Sequence, residues 1–144
     1  MITHLQKFLL ELGRGFSFVA RQKRITFDGR HFRIDLVFYN YILKCFVLID
    51  LKVGDLTHQD LGQMQMYVHY YERELMNEGD NPPIGIVLCA DKSESVVKYT
   101  LPENETQIFA PKYKLYLPSE EELLRELEQE YQALEVHKLD HRAE

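Results

Sequence analysis

Two long apolar segments in the first third of the chain are each interrupted by an acidic residue. The segment at residues 33–39 contains Asp35, and the segment at residues 46–52 contains Asp50 and Lys52. Such segments are typical of buried β-strands, in which an unpaired carboxylate is destabilising. Because strand side chains alternate, Asp50 and Lys52 point to one face, and a neighbouring antiparallel strand could bring Asp35 beside them. The pattern therefore predicts two carboxylates and an ammonium in one pocket, a candidate divalent metal site.

The composition of the chain is that of one folded domain. Its 144 residues are 45% hydrophobic and 12% aromatic, which excludes disorder, and no apolar run reaches the length of a membrane span. The N-terminus lacks the pattern of a signal peptide. Cys45 and Cys89 both fall in predicted strands, so we interpret them as buried apolar residues rather than a disulfide or metal pair. We therefore expect a cytoplasmic protein.

The net charge of −6 is unevenly distributed along the chain. Residues 118–144 contain nine acids and three bases, whereas residues 1–52 contain nine bases and four acids. The part that carries the candidate site is thus basic, and a polyanion would be attracted to it. Taken alone, such a charge run more often marks a solvated face than a binding site.

Hydrophobic spacing and turn residues predict an α/β fold. The first helix ends at Gly13, an Asp28-Gly29 turn joins the first two strands, and Thr57 with Asp60 begins the second helix. A helix links the third strand to the fourth, so these two should be parallel within a mixed central β-sheet flanked by helices. In chain order we predict helix 2–12, strands 16–25, 31–39 and 44–52, helix 57–76, strand 84–90, a short helix at 94–99 and a strand at 107–110.

An acidic helix is predicted at residues 119–144. Ser119 and Glu122 match a capping box. The helix would pack on the domain or on a partner, and its apolar stripe is too short for us to assign a coiled coil. That stripe consists of Leu124, Leu127, Tyr131 and Leu134. His137 and His141 have a spacing that can bind a metal, but a solvated helix end is the favoured interpretation.

Four segments of the chain carry a resemblance to a known family. Residues 34–39 are IDLVFY, 50–54 are DLKVG, 62–67 are GQMQMY and 83–90 are PIGIVLCA. In this order they resemble the PD-(D/E)XK nuclease superfamily and, more narrowly, the nuclease domain of the YhcG-like family. The resemblance covers about residues 5–118. It implies a restriction-endonuclease-like core and a PD-(D/E)XK nuclease-like domain at residues 1–118.

The resemblance also implies roles for the residues of the candidate site. Asp35, Asp50 and the backbone carbonyl of Leu51 would bind Mg²⁺, which takes oxygen ligands and keeps several waters, and Mn²⁺ should substitute. Lys52 would orient the attacking water or stabilise charge in the transition state. By resemblance to nucleases with a Gln-x-x-x-Tyr helix, Gln63 would support catalysis.

Four further residues are candidates for the surroundings of the site. Tyr67 lies one helical turn after the helix glutamine and, by the same resemblance, would contact substrate or pack beside it. Several superfamily branches point a first-helix Glu into the site, so Glu11 is a candidate accessory ligand, with a surface Glu an equal alternative. Arg33 and His31 share the strand face of the first acid. We assign these two to nucleic-acid binding, without a catalytic role for His31.

Two departures from the family pattern bear on these expectations. The family's usual Glu is Asp50 here, and because the superfamily permits either acid we expect a change in metal geometry rather than loss of the site. Family members also usually carry another domain before this one, so we expect either a fragment or a short form.

An isolated Asp-x-Lys would be better explained as an ion pair at a strand end. The presence of Asp35 and Gln63 favours the site.

The sequence therefore predicts a Mg²⁺-dependent nuclease that hydrolyses phosphodiester bonds of nucleic acid, with DNA favoured. The alternative is a non-catalytic nucleic-acid-binding or assembly module that retains the nuclease fold. Such a module would be expected to lack one of the acids or the lysine of the motif, and this chain has all of them. A hydrolase of small phosphate esters is disfavoured by the basic first third and by the lack of a Gly-rich phosphate loop. The sequence leaves open whether the protein forms a homodimer.

Overall fold

A computed structural model describes residues 3–90, 96–100, 116–129 and 132. The elements in chain order are α1 (Thr3–Glu11), β1 (Phe16–Phe27), β2 (Arg30–Asn40), β3 (Cys45–Val53), α2 (His58–Tyr70), β4 (Ile84–Ala90) and β5 (Val96–Thr100). A π-helical turn, Tyr71–Leu75, continues α2, and residues 120–129 form helix α3.

The five strands form one mixed sheet in the order β1-β2-β3-β4-β5. Neighbouring strands are antiparallel except β3 and β4, which are parallel and connected through α2. A parallel pair needs a crossover connection, and a helix supplies it here. The predicted antiparallel meander, helix and parallel strand are therefore confirmed, as is the mixed sheet with flanking helices.

Helices cover both faces of the sheet. On one face, Leu5 and Leu9 of α1 share a buried apolar cluster with Leu123 and Leu127 of α3. On the other face, α2 contributes to a second cluster. Its buried α2 members are Met64, Tyr67 and Val68. This two-sided coverage explains why β4 is buried along its whole length.

Helix α2 packs unusually close to β4 at Gly85. A Cβ at this position would lie 2.6 Å from Met64 Cγ and 2.9 Å from Val68 Cγ2, which is closer than real contacts allow. The missing side chain therefore lets the helix approach the sheet. Gly85 thus helps to set the height of α2 above the strand ends that carry the candidate site.

The turn between β1 and β2 follows the sequence prediction. Asp28 and Gly29 have φ values of 51° and 75°, and the flanking Phe27 and Arg30 are paired. Two successive residues of positive φ form the tight hairpin loop that matches the twist of antiparallel strands. The turn fixes the register of the hairpin as far as Ala20, and a bulge between Phe18 and Ala20 then shifts the pairing by one residue.

The predicted short helix at residues 94–99 is wrong, because Val96–Thr100 is strand β5 and pairs antiparallel with β4. Two β-branched valines favour an extended backbone, and β5 satisfies backbone groups along the edge of β4. The predicted helix at 57–76 has the expected N-cap at Thr57, but its α-helical part ends at Tyr70. The predicted strand at 107–110 lies outside the described residues.

Helix α3 begins with the predicted capping box. The Ser119 amide donates to Glu122 Oε1 at 3.0 Å, and the Glu122 amide donates to Ser119 Oγ at 3.1 Å. Arg14 also pairs with Glu122 at 3.2 Å, which links α3 to the start of the sheet. The domain boundary at residue 118 stays a prediction, and the positions of Tyr131, Leu134 and the two tail histidines lie beyond the part described.

Two simpler expectations concern the cysteines and membrane spans. Cys45 and Cys89 are both buried and form no disulfide, as predicted. In the described part of the chain, no helix has the length and apolar character needed to cross a bilayer.

Candidate active site

Asp35 and Asp50 lie where β2 and β3 separate. The regular pairing of the two strands runs from Asn40 back to Leu36, and the acids occupy the next positions. The Asp35 amide donates to Asp50 Oδ1 at 3.0 Å, and the Leu51 amide donates to Asp35 Oδ2 at 2.8 Å. Each carboxylate therefore accepts a hydrogen bond from the opposite strand and is held beside the other acid.

The local electrostatics of this pair favour a bound cation. Burial, together with repulsion from Asp35 and Asp60, raises the pKa of Asp50 to about 7, although the hydrogen bond from the Asp35 amide opposes the rise. Two adjacent acids are difficult to ionise together without a positive charge nearby. A divalent cation between them would remove that difficulty.

Lys52 projects from β3 toward the first turn of α2. Its ammonium donates a hydrogen bond to Asp60 Oδ2, which also accepts from the Thr57 amide and hydroxyl, each at 2.8 Å. Burial alone would raise the pKa of Asp60, but the hydrogen bonds from Lys52 and Thr57 lower it below its usual value. One carboxylate thus caps the helix and holds the lysine.

Tyr67 lies on the face of α2 that borders the acids. Its ring is buried and meets the Phe32 ring at a centroid distance of 6.2 Å, and its hydroxyl donates to the Arg33 carbonyl at 3.3 Å. Burial and the charges of Asp50 and Asp35 raise its pKa, although a hydrogen bond with the Gln63 side chain lowers it. Tyr67 is therefore a core residue that also reaches the site.

These side chains line one open cavity of about 370 Å³. Its wall contains Arg33, Asp35, Asp50, Leu51, Lys52, Asp60, Gln63 and Tyr67. The sheet contributes the first five of these residues, and α2 contributes the last three. The predicted convergence of the acids and the lysine is thus observed in the fold.

Two candidates from the sequence lie elsewhere. Glu11 is exposed on α1, within 3.9 Å of Lys7, because α1 packs on the sheet face opposite α2. It borders a separate cleft, so it is not positioned as an accessory ligand. The His31 ring is hydrogen-bonded to the Thr26 hydroxyl at 2.9 Å, and it does not line the cavity.

Two residues of the site were not identified from the sequence. Asp60 was interpreted only as a helix-capping acid, although its spacing from Gln63 and Tyr67 places all three along one helical face. Gln22 donates from Nε2 to Asp35 Oδ1 at 3.3 Å, and its φ of 53° is uncommon for a residue with a side chain. Counting pairs back from the predicted hairpin turn would have placed it opposite Asp35.

The two carboxylates of the site fit a hard cation that prefers oxygen ligands better than a softer metal that prefers nitrogen or sulfur. No group of three or more His, Cys, Asp or Glu residues suited to a metal occurs in the described residues. Mg²⁺ needs only one or two protein carboxylates because it retains much of its water shell. Asp35 and Asp50 meet that requirement, and Leu51 lines the same cavity.

Comparison with known proteins adds an independent finding. The sequence profile of the YhcG PDDEXK nuclease domain matches residues 1–129. The chain is 43% identical over 127 residues to a protein named "Putative nuclease YhcG" from Escherichia coli (strain K12). That match covers 88% of this chain and 34% of the relative, so the chain spans about a third of the relative's length.

One solved structure, titled "Crystal structure of SSO0001", shows a weaker similarity. It matches with 17% sequence identity and a TM-score of 0.39, over 83% of this chain and 59% of that chain.

Proposed function

Because this chain belongs to the family of YhcG PDDEXK nuclease domains, we propose that it is a Mg²⁺-dependent nuclease that hydrolyses phosphodiester bonds, with DNA as the first substrate to test. The observation that carries the proposal is the meeting of Asp35, Asp50 and Lys52 in one open cavity. Paired carboxylates beside a lysine are suited to hold a divalent cation and to stabilise negative charge on a reacting phosphate.

We assign the metal ligands to the two acids and one backbone atom. Asp35, Asp50 and the Leu51 carbonyl would hold Mg²⁺, and Mn²⁺ should substitute because it also accepts oxygen ligands. When bound, the ion supplies an activated water and positive charge at the phosphate oxygens. The hydrogen bonds that Asp35 and Asp50 accept from the opposite strand keep the carboxylates in place before the ion arrives.

The remaining residues of the cavity would act on the water and the substrate. Lys52 would orient the attacking water and stabilise the charge that develops on the phosphate. Gln63 would support this arrangement from α2. Tyr67 and Arg33 border the cavity and would contact nucleic acid, and His31, farther along β2, would contact the backbone beyond it.

The wider setting of the activity is also a proposal. We place the protein in the cytoplasm, in keeping with two buried cysteines outside any disulfide. Nucleic acid, with DNA first, is its proposed partner, and association into a homodimer is a secondary proposal to be measured by sedimentation.

The second candidate function is a non-catalytic module that binds nucleic acid. The experiment that separates the two incubates the chain with supercoiled, linear and branched DNA and with RNA, in Mg²⁺, Mn²⁺ or EDTA. A nuclease should cut at least one substrate only with metal, and the Asp35→Asn, Asp50→Asn double variant should not cut. Metal-independent cutting, or equal cutting by the double variant, would contradict the assignment, whereas binding without any cutting would favour the non-catalytic module.

A further inference from the structure

The first two strands continue past the sheet as a separate two-stranded ribbon. β2 pairs with β1 as far as Arg30, but it pairs with β3 only from Leu36 onward. We call residues 21–34 the hairpin arm. Among the residues that the structure describes, no second strand pairs with this arm, and most of its polar side chains are exposed.

One face of the hairpin arm is anchored on the domain. Ile25 and Ile34 are buried in the cluster formed by α2, and Phe32 packs against it. The Phe32 ring also meets the Tyr67 ring edge-on at 6.2 Å. The arm is therefore held against α2, and its opposite face remains for other contacts.

The hairpin arm is strongly basic. It contains one acid, Asp28, in the turn, against five bases. The bases are Arg21, Lys23, Arg24, Arg30 and Arg33, and all five are exposed. In a chain of net charge −6, this concentration of positive charge on one hairpin, of which Arg33 borders the cavity, favours a polyanionic partner.

Two of these bases lie directly opposite each other. Arg24 is the cross-strand partner of Arg33, and alternation places both side chains on the face opposite Ile25 and Ile34. Like charges in such a pair destabilise a sheet. Among the residues that the structure describes, no carboxylate forms an ion pair with either arginine.

We propose that Arg24 and Arg33 together form a phosphate-binding site for the nucleic-acid backbone where it leaves the active-site cavity. A phosphate between two guanidinium groups would receive charge-assisted hydrogen bonds and would relieve their repulsion. Arg33 also borders the cavity that contains Asp35 and Lys52, so the site is continuous with it. This inference rests on the proposed function, since it names how that substrate is held.

The partner is a nucleic-acid backbone rather than a single phosphate because the basic residues recur along the arm. By alternation, Arg24 and Arg33 lie on one face of the ribbon and Arg21, Lys23 and Arg30 on the other, and all five are exposed, so a chain of repeated phosphates could contact more of them than one anion could. A backbone of repeated phosphates would engage several of them at once and release counterions, which gives steep salt dependence.

The test measures binding in EDTA, where metal-dependent cutting cannot interfere. Fluorescence anisotropy with labelled duplex and single-stranded DNA gives Kd over a series of salt concentrations for the full 144-residue chain. The Arg24→Gln, Arg33→Gln double variant should weaken binding at least about tenfold at low salt and lower the salt slope by about 2. Arg24→Lys, Arg33→Lys should keep most of the slope, because both charges remain.

A matched control and a folding check complete the test. Arg125 is exposed on α3, on the other face of the sheet, and Arg125→Gln should bind like the unmodified chain. Melting curves should show that the double glutamine variant is folded, because it removes a repulsive pair. If that variant is unfolded, Arg24→Gln alone replaces it, with an expected slope change of about 1.

The possible results separate this inference from the proposed function. Equal affinity and salt slope for the glutamine variant would overturn the phosphate site, even if metal-dependent cleavage is found. Arm-dependent binding without cleavage would support the site and contradict the nuclease assignment. Failure of the unmodified chain to bind either DNA would overturn the inference.

Discussion

Asp35 and Asp50 are held by backbone groups that would otherwise pair the two strands. Each acid accepts a hydrogen bond from a backbone amide of the opposite strand, at 2.8 Å for Asp35 and 3.0 Å for Asp50. Preorganised carboxylates need little rearrangement to receive a cation. Because the two acids are so close, their joint ionisation is unfavourable without a cation. The protonation of this pair should therefore differ between metal-free and metal-bound protein.

A substitution of Lys52 distinguishes a nuclease from a non-catalytic binding module. We predict that Lys52→Ala lowers the cleavage rate at least about 10²-fold, as expected for loss of one electrostatic stabiliser, with a far smaller effect on binding. Single-turnover cleavage and anisotropy on one DNA at fixed salt measure the two effects. Lys98→Ala, an exposed lysine on β5, is the matched control. Equal cleavage by the Lys52 variant would remove this lysine from the mechanism.

Asp60 is predicted to act as a positioning residue for Lys52. Asp60→Asn keeps an oxygen for the Thr57 amide but loses the ionic partner of the lysine. We expect the cleavage rate to fall about tenfold, which corresponds to a loss of about 1.4 kcal/mol in transition-state stabilisation. The change should lower kcat and leave KM unchanged. In a Lys52→Ala background the same change should have almost no further effect on cleavage. An equal loss in both backgrounds would indicate that Asp60 acts only through the helix.

The raised pKa of Asp50 predicts how stability changes with pH in EDTA. The folded-state pKa of about 7 exceeds the ordinary aspartate pKa of 3.8, so the folded state binds more protons between these two pH values than the unfolded state does. The free energy of unfolding should therefore decrease as pH rises through this window. We expect a loss on the order of 2 kcal/mol, less than the full shift implies because the site is open to water.

Urea denaturation of wild type and Asp50→Asn across pH 4 to 8 measures this effect. The asparagine variant should lack the Asp50 part of the decrease, so the difference between the two proteins should change with pH. Asp55→Asn, at an exposed acid, is the control. A constant difference between wild type and the Asp50 variant would contradict the prediction.

At the scale of elements, α2 connects the core to the candidate site. Its buried side places Met64 and Val68 on β4, while Asp60, Gln63 and Tyr67 border the cavity. A shift of the helix relative to the sheet would therefore move three polar groups at once. The capping box at Thr57 and the close packing at Gly85 both limit such a shift.

Gly85→Ala tests the link between packing and activity. The added methyl would overlap Met64 and Val68, so we expect a loss of about 1–3 kcal/mol in stability and slower cleavage. Gly62→Ala in the same helix is the matched control. Apart from its chain neighbours and the backbone of its own helix, nothing lies within 4 Å of its added Cβ, so alanine should be neutral or stabilise α2 by up to about 1 kcal/mol. Thermal and urea denaturation measure both, and an unaffected Gly85 variant would contradict the close contact.

At the scale of the whole molecule, metal binding should be coupled to folding. Mg²⁺ or Mn²⁺ should raise the melting temperature, since each would bind the folded state and relieve repulsion between the two acids. The Asp35→Asn, Asp50→Asn double variant should show no such increase. Differential scanning fluorimetry with and without metal tests this, with Asp55→Asn as the control. A full increase in the double variant would mean that the ligands lie elsewhere.

Much of the architecture could be predicted because the signals that specify it are local. The Asp28-Gly29 turn, the cap at Thr57 and the alternation of Asp50 and Lys52 each depend on backbone geometry within a few residues. The sequence therefore determined the meander, the start of α2 and the shared face of the acid and the lysine. Local signals predicted a short helix at residues 94–99, and this was wrong because residues 96–100 pair with β4 as a strand.

Other features depend on which elements pack together, and only the tertiary structure decided them. The ionic partner of Lys52 is Asp60, and the partner of the Asp35 side chain on β1 is Gln22. Glu11 lies away from the cavity because α1 packs on the opposite face of the sheet. Such contacts join residues that are distant in sequence or on different elements, so their geometry follows from the packing of the sheet and helices rather than from local spacing.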